Sequence, residues 1–252
     1  MKTTLLVMAL NEIDGMKAVM PRVLPGWVDQ IVVCDGGSTD GTAEWAREQG
    51  YTVHVQQKKG FRQGYYEVWP LVEGDVVITF SPDGNSIPEV IPDLVAKMRD
   101  GHDMVIASRY KGDASSEDDD IVTGFGNWLF TRTVNLLFGG DYTDVMVIYR
   151  AFRKDLIARL ELDQDANFNV FERLFFCGYR GTSWEPLLSV LALKYGYGVT
   201  EIPASEPPRI GGERKLRIFN WGGAYYSQFW VEFFKPKKAS RQSPIRYPEH
   251  RA

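Results

Sequence analysis

Two short runs in this chain put oxygen-bearing side chains directly after a stretch of β-formers. In the first, Gln30 to Cys34 leads into Asp35-Gly36-Gly37-Ser38-Thr39-Asp40-Gly41-Thr42. A carboxylate at the end of a buried strand can accept the N–H groups of a planar ligand, and adjoining glycines keep the backbone close to it. Asp35 is the candidate for contact with a nucleobase or ribose. A turn followed by a helix N-cap fits the same residues, with Ser38, Thr39 or Asp40 as the cap. Asp40 suits cap or loop brace, because Asp35 lies before the turn. In the second run, Ser81, Asp83 and Asn85 stand at i, i+2 and i+4 after Asp75 to Phe80. On an extended backbone these side chains project to one side, an arrangement suited to a hard cation such as Mg²⁺ or Mn²⁺ and the phosphates it holds. A Pro-Asp-Gly-Asn turn explains the spacing equally well.

The elements that must carry these residues follow from periodicity. Residues 3–10, 30–34, 52–56, 75–80 and 103–108 read as strands, separated by helical patterns around 14–24, 42–49, 64–73 and 88–100. This alternation predicts an α/β fold with a mostly parallel sheet flanked by helices. Ligands of such sheets gather beyond the carboxyl ends of the strands, where Asn11-Glu12, Asp35, Ser81 to Asn85 and Ser108-Arg109 fall. Further on, an amphipathic helix is expected over 124–138, a strand over 145–152 and helix in two pieces over 168–195. The run Ser115 to Asp120 reads as a solvated surface loop rather than a metal site, since consecutive like charges repel.

Composition narrows the function classes. A chain of 252 residues, 44% hydrophobic and 13% aromatic, can bury one large core. A formal charge of −4 argues against a broad nucleic-acid surface. Cys34 and Cys177 lack metal or disulfide spacing, and the histidines at 54, 102 and 250 are scattered. The N-terminus carries no signal-peptide pattern and no apolar run reaches the ~18 residues of a membrane span, so the cytoplasm is the expected location. The aromatic stretch 217–234, ending against Lys235, Lys237 and Lys238, fits either a core helix or a helix lying on the cytoplasmic face of a membrane. Residues 235–252 have the composition of a disordered tail. A homo-oligomer is compatible with the sequence, which does not fix the number of subunits.

In order along residues 3–217, the stretches LNE, DGGSTDGT, SPDGNSIPE, ASRY, TRTVN, Asp144 to Arg150 and EIPASEPPRIGGERKL resemble a family 2 glycosyltransferase of the GT-A fold. The likeness is strongest to the dolichyl- or polyprenyl-phosphate mannosyltransferase branch. It implies a GT-A domain over 1–217, followed by the aromatic helix 218–234 and the tail 235–252. It implies that Asp35, with Asn11 and Glu12, seats the nucleoside of a GDP- or UDP-linked sugar. The family's second aspartate in this loop falls on Gly36. The metal-binding DxD element with its following amide falls on Ser81, Asp83 and Asn85, so one carboxylate remains, and cation binding should depend more on the substrate's diphosphate. Arg109, Arg132, Arg209 and Lys215 match basic residues expected around the phosphates, with Lys59 as a further donor-phosphate candidate. Asp144 and Arg150 match the ends of an acceptor-side element whose serine and glycine are replaced by Val147 and Ile148. The implied activity is metal-dependent, inverting transfer of a hexose-type sugar to a polyprenyl phosphate. Transfer to a saccharide hydroxyl, with Asp144 as base, is the nearest alternative. A nucleotide-sugar-binding subunit that has lost catalysis and a nucleotidyltransferase are the others. The chain lacks GxGxxG, which disfavours a dinucleotide-dependent dehydrogenase. Glu185 reads as a structural helix carboxylate in preference to a catalytic one.

Overall fold

The computed structural model describes residues 1–175, 182–211 and 218–244. In chain order its elements are β1 (Thr3–Ala9), α1 (Ile13–Val19), β2 (Gln30–Asp35), α2 (Thr42–Glu48), β3 (Thr52–Val55), α3 (Phe61–Val68), β4 (Val76–Phe80), α4 (Ile91–Arg99), β5 (Met104–Ser108), α5 (Ile121–Phe138), β6 (Arg150–Arg153), α6 (Asp155–Arg159), α7 (Asn169–Leu174), α8 (Glu185–Tyr195), β7 (Val199–Pro203) and α9 (Ile218–Phe234). Seven strands form one sheet in the order β3-β2-β1-β4-β6-β5-β7. Only β6 runs antiparallel to its neighbours; the pairings β1–β2, β1–β4, β2–β3 and β5–β7 are parallel. Strands β4 and β5 are buried along their whole length, as the continuous runs Val76–Phe80 and Met104–Ser108 require when helices cover both faces.

The carboxyl ends of β1, β2, β4, β5 and β7 therefore share one edge of the sheet. Strand order reverses beside β1, which has β2 on one side and β4 on the other. A crevice opens at such a point because successive crossovers leave in opposite directions. Both of the chemically suggestive runs end there.

The expected strand over 145–152 is shorter than predicted, beginning only at Arg150. Residues 145–149 are held by side chains instead of a ladder. The Arg150 guanidinium donates to the main-chain oxygens of Val145 and Val147, and Asp144 accepts from the amides of Met146 (3.2 Å) and Val147 (3.3 Å). The short β7 was not anticipated, since Thr200 and Glu201 interrupt its apolar pattern.

Helix α8 is buried on nearly every side and stacks Trp184, just before it, on Tyr65 of α3 with ring centroids 4.2 Å apart. Helix α9 joins the same core through Tyr225 and Phe229, which are 4% and 0% exposed. Burying each such side chain contributes roughly 1.5–3 kcal/mol, so α9 is an integral part of the domain. The chain after α9 departs from the disordered tail expected of it, at least over 235–244. Arg241 is buried, its guanidinium bonded to Glu161; Lys238 reaches Glu161 at 2.9 Å, and the Ser243 amide donates to the Tyr195 carbonyl at 3.1 Å. Residues 245–252 lie outside the described residues.

Candidate active site

The sheet edge opens into a cavity of about 780 Å³, and its wall contains Glu12, Cys34, Gly36, Lys59, Ser81, Asp83, Asn85, Arg109 and Arg209. Asp35 sits between two of these lining residues and is 1% exposed. Its Oδ1 accepts from the amides of Gly37 (3.0 Å) and Ser38 (2.8 Å), which fixes the carboxylate at the strand's end. Its Oδ2 is buried with no hydrogen-bond partner. Such an oxygen is costly to leave empty, and a ligand N–H or O–H would satisfy it. Asp40 behaves as a brace, accepting from the Thr42 amide (3.0 Å) and the Ile13 amide (3.1 Å). Asn11 is a second brace and does not line the cavity: its Oδ1 accepts from the Thr39 amide, and its own amide donates to Ser38 Oγ, both at 2.8 Å.

The loop after β4 is held by close contacts. A side chain on Gly15 of α1 would meet the Pro82 carbonyl at 2.3 Å, so only glycine lets the helix lie against this loop. Gly84 has φ +99°, a left-handed conformation that the Pro-Asp-Gly-Asn turn needs. The turn is therefore present, and Ser81, Asp83 and Asn85 line the cavity from it. Asp83 is 4% exposed; its Oδ1 accepts the Asn85 amide (3.1 Å) and its Oδ2 pairs with Arg209 at 2.8 Å. Asn85 donates to Asp118 (3.0 Å) and Glu206 (3.2 Å), leaving its buried Oδ1 without a partner. Arg209 also approaches Glu12 at 3.8 Å, and its buried Nε has no acceptor. Among the described residues no group of three or more His, Cys, Asp or Glu side chains is disposed to hold a metal. The Asp83 carboxylate and the open Asn85 oxygen, with Ser81 in the same wall, nonetheless fit a cation completed by ligands from a bound diphosphate.

The other predicted residues are divided between the cavity wall, the interior and the outer surface. Arg109 touches the cavity but is consumed by carboxylates: Asp144 at 2.7 and 3.1 Å, Asp119 at 3.2 Å and Glu206 at 3.3 Å. Burial would weaken its charge, but Asp144, Glu206 and Asp119 outweigh it and hold Arg109 protonated far above its usual range. Asp144 is fully buried, accepts from Arg109 and two amides, and does not line the cavity. A role as general base toward a substrate in the cavity is not supported by that position. Arg150, expected at the substrate, is 0% exposed and donates to the Glu185 carbonyl (3.1 Å) and Ser189 Oγ (2.8 Å). Arg132 is exposed on α5 and absent from the cavity wall, and Lys215 lies outside the described residues. Lys59 is exposed in the wall, on a loop closed by Gln56 donating to the Gly60 carbonyl at 2.6 Å. Burial pushes the Cys34 thiol up to about 12, which makes it a poor nucleophile.

Several wall residues escaped the sequence reading. The run Ser115 to Asp120, expected to be a solvated loop, is so only in part: Ser115, Glu117 and Asp120 are exposed, whereas Asp118 and Asp119 stand in the wall and the Ser116 hydroxyl donates to Glu206. Asn127 and Trp221, from α5 and α9, also line the cavity, each with a buried polar atom lacking a partner. The only sequence signal for these was an acidic run that self-repulsion made look exposed. Helix α5 is less cleanly amphipathic than expected: Asn127, Thr131 and Thr133 are buried together with Val134, while Phe125, Trp128 and Leu136 are exposed.

A sheet of this order with a carboxylate-lined crevice at its reversal point is an α/β scaffold of the kind that binds ligands beyond the carboxyl ends of its strands. The family model for glycosyl transferase family 2 matches residues 5–160, and the chain belongs to that family. It is 24% identical over 226 residues to an undecaprenyl-phosphate mannosyltransferase of Micrococcus luteus, covering 86% of this chain and 88% of that protein. It is 28% identical over 212 residues to a dolichyl-phosphate hexose transferase of Haloferax volcanii, covering 84% of each. Glucosyl-3-phosphoglycerate synthase from Mycobacterium tuberculosis, solved with Mn²⁺, uridine diphosphate and phosphoglyceric acid, superposes with a TM-score of 0.61 at 19% identity, covering 94% of this chain and 80% of that one. The fold is GT-A.

Proposed function

We propose that this glycosyltransferase moves a hexosyl group from a nucleoside diphosphate sugar to a polyprenyl phosphate, with inversion at the anomeric carbon and with Mg²⁺ or Mn²⁺. The observation that carries the proposal is that Asp83 and Asn85 line the same crevice as Cys34 and Gly36, the two neighbours of Asp35, with Asp35 Oδ2 and Asn85 Oδ1 both buried and open. Asp35 Oδ2 accepts an N–H or O–H of the nucleoside. Asp83, Asn85 and Ser81 would hold the cation, which when bound would supply positive charge to the leaving group.

The charge of the cavity supports this reading. Among the described residues its wall carries six carboxylates (Glu12, Asp83, Asp118, Asp119, Glu185 and Glu206) against three cations (Lys59, Arg109 and Arg209). An anionic donor and an anionic acceptor would be repelled from such a wall unless a cation accompanied them. Arg209 now neutralises Asp83 with one nitrogen and keeps Nε unused, so it is poised to pass to phosphate oxygens when the donor arrives. An acceptor phosphate oxygen attacks C1 from the face opposite the diphosphate, the C1–O bond to the diphosphate breaks, and the oxygen's charge passes to the leaving group. No proton needs removal, so positioning and charge stabilisation suffice. Arg109 and Asp144 then act by fixing the loop around the site.

Lipid acceptors suit the outer faces of α5 and α9. Ile121, Phe125 and Trp128 are exposed on one, and Trp230, Phe233 and Phe234 on the other, with Lys235 and Lys237 just beyond. The two helices are in contact through Phe138 and Phe233, with ring centroids 6.1 Å apart. Among the described residues no helix is long and apolar enough to cross a membrane. The exposed aromatic faces and the lysines beyond α9 support a peripheral position on a membrane surface. The test is a panel of GDP- and UDP-sugars incubated with undecaprenyl and dolichyl phosphates and either metal. Release of nucleoside diphosphate that requires both the lipid phosphate and the metal supports the proposal. Release that follows a saccharide hydroxyl instead, or continues in excess chelator, contradicts it.

A further inference from the structure

Glu185, at the first position of α8, lines the cavity and is 1% exposed. Its Oε1 accepts from the Tyr65 hydroxyl, whose pKa burial raises, so the phenol remains a donor. Its Oε2 is also buried but has no hydrogen-bond partner. A helix N-terminus tolerates a carboxylate, and the Arg150 guanidinium lies near enough to donate to the Glu185 main-chain oxygen at 3.1 Å. These features explain why a charge can be buried here. They leave its second oxygen open; Glu232 also keeps a buried Oε2 without a hydrogen-bond partner, but Glu232 does not line the cavity and Glu185 does.

We propose that Glu185 is the residue that selects the transferred sugar, its free oxygen accepting a hydroxyl hydrogen bond from the hexosyl ring. This rests on the reading of the cavity as a nucleotide-sugar site. A carboxylate is only an acceptor, so Oε2 takes a donor and repels phosphate. The nucleoside is already served by Asp35, and the diphosphate by Asp83, Asn85 and Arg209. The remaining part of the donor is a neutral ring with several O–H groups. Tyr225 and Trp221 stand in the same wall and offer apolar surface to the ring's C–H face. A site that pairs a buried acceptor with one substrate hydroxyl discriminates strongly against a sugar lacking it, because the acceptor is then left empty.

The test is calorimetry in the presence of Mn²⁺ with UDP, GDP, UDP-glucose, UDP-galactose and GDP-mannose. The wild-type protein binds one of the sugar nucleotides more tightly than its nucleoside diphosphate. In Glu185→Gln an accepting oxygen becomes an N–H donor of the same shape, and affinity for that sugar nucleotide falls by about tenfold. Affinity for the nucleoside diphosphate is unchanged. Equal weakening of both ligands, or no weakening, overturns the assignment while leaving the nucleotide site standing. Binding of neither UDP nor GDP by the wild type overturns the site reading and this assignment together. A second measurement needs no variant: monodeoxy analogues of the preferred sugar, titrated into wild-type protein, should show one position whose loss costs about tenfold. Indifference to every hydroxyl contradicts the proposal.

Discussion

The charged groups at the sheet edge divide into two sets with opposite habits. Asp35, Asn85, Glu185 and Arg209 each keep one buried polar atom without a partner. Arg109, Asp144 and Arg150 are also shielded from solvent but have their hydrogen bonds filled by the protein: by one another, by Asp119, Glu206 and Ser189, and by main-chain oxygens and amides. Burial alone therefore does not mark a ligand residue. What separates the sets is whether the fold itself completes the hydrogen bonding, since a polar group left open in a folded interior is costly unless something else fills it.

The largest effect that would sharpen this contrast is expected in the closed set, and on stability. Arg109→Met removes the countercharge of the fully buried Asp144 and should destabilise the protein by about 3–5 kcal/mol in a denaturant titration. A loss below ~1 kcal/mol would mean that Arg109 is free to serve a ligand. In the open set the effect should move to binding. Asp35→Asn keeps the shape and one acceptor but removes the charge; nucleoside diphosphate affinity should drop by roughly ten- to a hundredfold with little change in melting temperature.

The smallest effect lies far from the crevice, at Glu161. Hydrogen bonds from Arg241, then Lys238, hold its carboxyl down at about 2, below the ordinary value of 4.5. A depressed carboxyl contributes stability that is present above about pH 4.5 and is lost as pH falls through about 2. Glu161→Gln should cost about 1 kcal/mol at pH 7, after allowance for partial exposure, and the gap to wild type should close toward pH 2. A difference independent of pH would show that packing, rather than charge, ties residues 235–244 to the domain.

Half of the open set, Asp35 and Asn85, was legible from local pattern because these residues end or follow strands, whereas Glu185 opens a helix and read as structural, and Arg209 was found only through the family likeness. Asp35 ends β2, and Ser81, Asp83 and Asn85 follow β4, so local pattern and the sheet-edge rule sufficed to place them. The closed set was misread because its pairing is made across the fold. Arg109 meets Asp144 and Glu206 only after β5, β6 and β7 have come together, contacts 35 and 97 residues apart in sequence. The acidic run at 115–120 failed for the same reason: repulsion predicted exposure, whereas Arg109 and Asn85 draw Asp119 and Asp118 inward. In α5, periodicity identified a helix but could not say which of its two faces would meet the core.

The most direct test is Mn²⁺ binding followed by electron paramagnetic resonance, with and without UDP or GDP, in the wild-type protein and in Asp83→Asn. A single protein carboxylate shared with the diphosphate predicts weak Mn²⁺ binding alone, marked tightening with the nucleotide, and loss of that tightening in the variant. Mn²⁺ bound as tightly without nucleotide, or tightened equally in Asp83→Asn, would contradict it.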